Sequence, residues 1–193
     1  MAAAASPINL PNAITVTRIL LAPVLVVVLL NATGGSLLAA AVFAAGALGD
    51  VLDGTLARSR GLVTDVGKLL DPIADKLLVG AALVALVLVG RLALWVPVVI
   101  LFREVLVTGL RAAAARRGQI IDASPLGKLK MTLQIAMVLV LCAVSDPGLL
   151  WVDLLVAATV AATLASGAAV VARFARGARP PGQPGAAVPP DRA

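Results

Sequence analysis

The sequence predicts an all-α integral membrane protein, a bundle of six transmembrane helices, and three observations carry that prediction. Of 193 residues, 61% are hydrophobic and only 13% are charged, about half the charged fraction of a soluble domain. The apolar residues fall in long runs with polar breaks between them, and several runs approach the roughly 20 residues that cross a bilayer as a helix. These runs are rich in Ala and Leu and lack the alternation that a membrane-spanning strand requires.

The first helix is expected over 13–31, after an N-terminal juxtamembrane segment, 1–12, whose polar part runs from Ser6 to Asn12. Arg18 followed by Ile19 to Leu30 imitates a cleaved signal peptide, but the polar, proline-containing stretch before it is not a usual signal start, so a retained helix is expected. The Gly-rich turn Asn31 to Ser36 leads into a second helix over 36–58. A third covers 68–89, and Gly90-Arg91 separates it from a fourth over 92–116. The fifth covers 127–145, and Ser145-Asp146-Pro147-Gly148 is a strong turn signal before the sixth, 149–175. Residues 13–176 thus form one six-helix domain. From 177 to 193 the chain turns to Pro, Gly and Ala with few large residues, a composition expected to be disordered.

Basic residues orient the bundle. With both termini cytoplasmic, the inner side holds Arg58, Arg60 and Lys68, then Arg111, Arg116, Arg117, Lys128 and Lys130, then Arg173, Arg176, Arg179 and Arg192. The outer side holds Arg91, and this asymmetry sets topology. A multi-pass protein of the cell membrane is expected. Trp95 and Trp151 follow proposed outer loops, where an amphipathic ring suits the interface, although ordinary packing would also account for them. The formal charge of +6 clusters at the ends of apolar spans, and aromatic residues are few. That pattern fits a membrane surface and argues against nucleic acid as a partner. Cys142, the single cysteine, lies inside an apolar run and reads as core.

Charged side chains inside lipid-spanning helices cost about 2.5–3.5 kcal/mol each on insertion scales, so intramembrane acids mark functional sites by default. Four occur close together, in Asp50-Val-Leu-Asp53-Gly54-Thr-Leu-Ala57-Arg58 and, after eight residues, in Gly67-Lys-Leu-Leu-Asp71-Pro-Ile-Ala-Asp75. Asp50 and Asp53 are spaced i, i+3 and Asp71 and Asp75 i, i+4, so each pair shares a helical face, and a short loop brings the pairs together. Hard divalent cations with oxygen-ligand preference, two Mg²⁺ or Mn²⁺ ions, would neutralise such a cluster. Ions about 3.5–4 Å apart suit displacement at phosphorus. Gly54, Ala57 and Gly67 leave room for a bulky group near the backbone, and Arg58 can grip a phosphate; close helix packing is the other reading of Gly54 and Ala57. The chain has no histidine, which removes Ser-His-Asp, Cys-His and histidine-dependent lipid-transfer mechanisms. A carboxylate base with metal assistance remains.

The segment has the pattern D-x2-D-G-x2-A-R-x8-G-x3-D-x3-D at every defining position, and so resembles the CDP-alcohol phosphotransferase family (CDP-alcohol phosphatidyltransferases). The family's six-helix arrangement would cover about residues 9–176. The resemblance implies transfer of a phosphatidyl group from CDP-diacylglycerol to an alcohol with release of CMP, at an active site on the cytoplasmic face. By position it implies that Asp50, Asp53 and Asp71 hold metals. Asp50, Asp53, Gly54, Ala57, Arg58 and Gly67 would surround the CDP moiety, and Asp75 would both touch a metal and act as catalytic base. It also implies a homodimer. Gly80, Ala81 and Ala85 offer one close-packing face for it, as do many others in so Ala-rich a chain.

Asn9-Leu-Pro-Asn12 with Thr15 and Arg18, Asp71 to Lys76, Arg103-Glu104 through Arg111, and Gly127-Lys-Leu-Lys130 are similar to the phosphatidylglycerophosphate synthases of that family. Glycerol 3-phosphate is then the expected acceptor, with Arg111, Lys128, Lys130 and Arg103 as its phosphate contacts. Two other readings stay open: topology-setting charge for Arg111, Lys128 and Lys130, and a structural pair for Arg103 with Glu104. Met131 stands where those synthases have Thr. Alternative acceptors are inositol phosphate and phosphatidylglycerol. An alternative class is a small ion transporter, although its acids would be distributed along a midplane path.

Overall fold

A computed structural model describes the backbone of residues 10–60, 65–119 and 125–176 and the side chains of 16–49, 76–119 and 125–176. The described residues form six helices: α1 (Leu10–Leu30), α2 (Leu37–Arg60), α3 (Asp65–Leu88), α4 (Trp95–Arg116), α5 (Pro125–Ala143) and α6 (Leu150–Ala175). The order matches the sequence reading, with ends displaced by a few residues. Helix α1 begins at Leu10 rather than 13, and α5 begins on Pro125, a residue suited to the first helical turn because its missing N–H is not needed there. The predicted tail, 177–193, lies outside the described residues.

Helix α1 packs chiefly against α3 and α2, α6 packs against both α5 and α4, and α2 also meets α5. Arg18, Ala22, Leu25 and Leu29 are buried along one stripe of α1, while Val16, Leu20, Val24 and Val27 on its other faces are exposed and equally apolar apart from Arg18. Phe43 of α2, Leu83 and Leu86 of α3, Ile100 of α4 and Met137 and Leu141 of α5 fill the core between them. Cys142 is buried there, as expected. Ala85 is also fully buried within the chain, so it is not available to a second copy.

The helix ends are closed in ways that matter where water is scarce, because unpaired backbone groups are then expensive. Ser36 caps α2, its Oγ accepting from the Ala39 N–H at 3.1 Å. Gly90, at φ 71°, ends α3: its N–H reaches Val87 O and the Arg91 N–H reaches Leu86 O, the paired bonding of a left-handed glycine cap. Gly118 closes α4 with the same pattern. The Gly90 turn explains why α4 starts at Trp95 and not at 92, since residues 91–94 complete the reversal.

Arg91 then crosses to the end of α5, donating from Nε to Leu141 O at 2.8 Å and from a terminal nitrogen to Val144 O. Ser36 N–H donates to Cys142 O at 2.6 Å. Three connections, α1–α2, α3–α4 and α5–α6, therefore meet at one end of the bundle. Gly35 sits in this junction, where an added Cβ would strike the carbonyl oxygens of Ala143 and Val144. Both are backbone atoms, so no side-chain rotation relieves the clash, and Gly35→Ala is expected to destabilise the protein by about 1–3 kcal/mol, read as a lower unfolding midpoint in detergent. An unchanged midpoint would show that the junction is not rigid. The predicted turn before α6 is present, with Gly148 N–H bonded to Asp146 Oδ1 at 2.8 Å.

Helices α5 and α6 are each long and apolar enough to cross a membrane. Apolar helical stretches also run over Val16–Leu30, Leu37–Gly49 and Lys76–Leu88. Large apolar side chains, among them Val98, Phe102 and Val105 on α4 and Leu154 and Leu164 on α6, are exposed on the outer surface, as suits contact with an apolar medium. Trp95 and Trp151 are both about half exposed, at 56% and 51%, beside the junction of the three connections.

Candidate active site

The aspartate motif divides between two helices. Asp50, Asp53, Gly54, Ala57 and Arg58 lie on the last part of α2, and Gly67, Asp71 and Asp75 on the first part of α3. Both predicted pairs are therefore in helical backbone at the spacings that share a face, and the side chains of all eight lie outside those described. Among the described residues no group of three or more His, Cys, Asp or Glu could hold a metal ion. The donor set of the motif fits a divalent cation on chemical grounds: it consists of carboxylates, the hard oxygen ligands that Mg²⁺ and Mn²⁺ prefer, in a chain without histidine.

Next to these stretches a cavity of about 430 Å³ opens between α2, α3, α4 and α5. Helix α2 contributes Phe43 and Ala47 to its wall and α3 contributes Leu78 and Val79. In helical register, positions 43, 47, 50 and 54 form one stripe of α2, and 71, 75 and 79 one stripe of α3.

The other walls are cationic. Arg103, Arg111, Lys128 and Lys130, the four residues expected to contact an acceptor phosphate, all line this one cavity, together with Lys76. Glu104 is the single carboxylate among its described lining residues. The five cations differ in what holds them. Lys130 is 7% exposed and its Nζ lies 2.5 Å from Glu104 Oε1. Arg103 reaches the same oxygen at 2.9 Å and also donates to Ser166 Oγ on α6 at 2.9 Å. Ser166 is held in turn by donating to Thr163 O. Lys76 donates to Thr108 Oγ1 at 2.9 Å. Arg111 and Lys128 are exposed, and neither forms an ion pair with a described residue, so their charges face whatever enters.

The sequence reading had left Arg103 and Glu104 open as a structural pair. The structure places Glu104 between two cations, as a brace across α4 and α5. Breaking a partly buried charge cluster by removing one member leaves the others uncompensated. Glu104→Gln is expected to cost about 2–4 kcal/mol on that account, measured by thermal unfolding in detergent. Combining it with Lys130→Met should recover part of the loss, whereas a double variant as unstable as the sum of the singles would refute the brace. Glu104 was missed as a site residue although a signal existed: it is the chain's only glutamate, in the middle of an apolar helix. Lys76, next to Asp75, has no site role in the sequence reading beyond its place in the Asp71 to Lys76 resemblance.

Comparison with known proteins agrees with the motif. The family model for CDP-alcohol phosphatidyltransferase matches residues 8–171. A probable phosphatidylglycerophosphate synthase of Mycobacterium tuberculosis is 40% identical over 173 residues, 87% of this chain and 82% of that protein. A CDP-diacylglycerol–glycerol-3-phosphate 3-phosphatidyltransferase of Bacillus subtilis is 41% identical over 140 residues, covering 66% and 72%. A protein of the same name from Rickettsia typhi is 36% identical over 148 residues, covering 76% and 83%. With the motif complete and the family model spanning nearly all of the helical bundle, the chain belongs to the CDP-alcohol phosphatidyltransferase family.

Proposed function

We propose that this protein transfers the phosphatidyl group of CDP-diacylglycerol to glycerol 3-phosphate, giving phosphatidylglycerophosphate and CMP, as a step of phospholipid synthesis. The observation that carries the acceptor choice is the cavity whose described lining holds five cations and one carboxylate. Such a site suits an anionic acceptor and gives a neutral alcohol little to bind. The names of the three relatives point the same way. Family membership sets the ion-transporter alternative aside.

In this reading the donor's CDP moiety lies along Gly54, Ala57, Arg58 and Gly67, and the acceptor phosphate sits against Arg111, Lys128, Lys130 and Arg103. Asp50, Asp53, Asp71 and Asp75 would hold two Mg²⁺ or Mn²⁺ ions, which when bound supply neutralisation of the diphosphate and polarisation at phosphorus. Asp75 takes the proton of the acceptor's primary hydroxyl. That oxygen forms a bond to the lipid-bearing phosphorus while the bond from this phosphorus to the CMP oxygen breaks, and CMP leaves with the electron pair. The six helices span the cell membrane with both termini and the active site on the cytoplasmic side, and the enzyme is a homodimer.

The test is CMP release by purified protein from CDP-diacylglycerol with Mg²⁺ or Mn²⁺, with glycerol 3-phosphate, inositol phosphate, serine and phosphatidylglycerol compared as acceptors. Release that depends on metal and on glycerol 3-phosphate is expected. Release driven by a different acceptor would keep the chemistry and overturn the substrate.

A further inference from the structure

One polar side chain in the cavity wall has no role in the account so far. Gln134 lies on α5 one turn beyond Lys130, on the face that also carries Gly127 and Met131. It is only 6% exposed, and its buried Oε1 has no hydrogen-bond partner. An amide inside an apolar helix normally finds a partner, because an unsatisfied polar group in lipid or protein interior is costly and water is not at hand to relieve it. Leu in its place would avoid that penalty. The terminal nitrogens of the neighbouring cations are engaged, Lys130 and Arg103 with Glu104 and Arg103 also with Ser166, while the buried Arg103 Nε, like Gln134 Oε1, has no partner. Gln134 therefore lines the cavity with a buried amide oxygen that has no partner, beside cations suited to a phosphate.

We infer that Gln134 is a specificity-determining residue that hydrogen-bonds the non-reacting hydroxyl of a phosphorylated polyol in this cavity. This rests on the reading of the cavity as the acceptor site. Glycerol 3-phosphate carries three functional groups: the phosphate, the primary hydroxyl that is phosphatidylated, and a secondary hydroxyl between them. The cations account for the first and the catalytic carboxylate for the second. A hydroxyl both donates and accepts, so it satisfies either end of an amide. A site built to hydrogen-bond a hydroxyl discriminates against an analogue without it, because the protein group is then left unpaired.

The experiment compares glycerol 3-phosphate with 3-hydroxypropyl phosphate, which keeps the phosphate and the primary hydroxyl and lacks the secondary one, by CMP release from CDP-diacylglycerol. The wild-type enzyme is expected to favour glycerol 3-phosphate by about tenfold in kcat/KM, the size of one hydrogen bond. In Gln134→Met, close in volume and unable to make the bond, the ratio should fall to about one. An equal preference in the wild type overturns the inference without reference to any variant, and a ratio unchanged in Gln134→Met does so as well. Arg111→Gln and Lys128→Gln separate this from the underlying reading, since each should raise KM for both acceptors alike. If neither moves either KM, the cavity is not the acceptor site and both readings fail. If they do and the Gln134 ratio is unchanged, only the hydroxyl contact fails.

Discussion

Asp75→Asn is expected to lower metal-dependent CMP release by about three orders of magnitude, the largest effect of any single substitution in this protein. Asparagine keeps the shape of the side chain and one of its oxygens but cannot take a proton near neutral pH and carries no charge. Loss of a positioned general base alone costs about 10²–10⁴-fold, and loss of one carboxylate from the donor set weakens the hold on a hard cation. The two contributions separate with metal concentration. Raising Mn²⁺ should recover the share due to weakened binding and leave a kcat still far below that of the wild type. Activity within tenfold of the wild type at any metal concentration would remove Asp75 from the role of base.

Replacing Arg111 and Lys128 together by Gln should raise KM for glycerol 3-phosphate by about 100-fold, and KM for CDP-diacylglycerol should stay within a factor of about three. Charge-assisted hydrogen bonds are worth about 1.5–3 kcal/mol each, and the two residues share one ligand, so their effects need not add. These two cations are singled out because both are exposed in the cavity wall, whereas Lys130 and Arg103 are already braced by Glu104. The wild-type KM for glycerol 3-phosphate should also rise with salt as the open charges are screened, and this dependence should be weaker in the double variant. If both residues serve topology alone, the acceptor KM will not change, while insertion or yield will.

The helices were legible because composition in lipid is blunt: apolar runs of spanning length, closed by Gly90-Arg91 and by Ser145 to Gly148, leave few other choices. Which helix lies against which was not legible. In α1 the stripe through Ala22, Leu25 and Leu29 faces the core while Leu20, Val24 and Val27 are exposed, and no polarity difference distinguishes the two sets because both solvents are apolar. The start of α4 was placed too early since the break at Gly90-Arg91 does not reveal that residues 91–94 are taken up in the reversal, where Arg91 is held by carbonyls at Leu141 and Val144, some fifty residues on in sequence. At the site, the aspartate spacing and the identities of Arg103, Arg111, Lys128 and Lys130 could be read directly. Their division into braced and open cations could not, because it depends on Glu104 meeting Lys130 across two helices. Gln134 was overlooked for a related reason: one amide in an apolar run has no pattern, and its significance lies in the partner it lacks.

The most direct test of the account follows both products at once, using glycerol 3-phosphate labelled in its phosphate, CDP-diacylglycerol and Mg²⁺ or Mn²⁺ with the purified protein. The account predicts label entering the lipid phase mole for mole with CMP released, and neither product when metal is chelated. CMP released without label in lipid, or no CMP under any of these conditions, would contradict it.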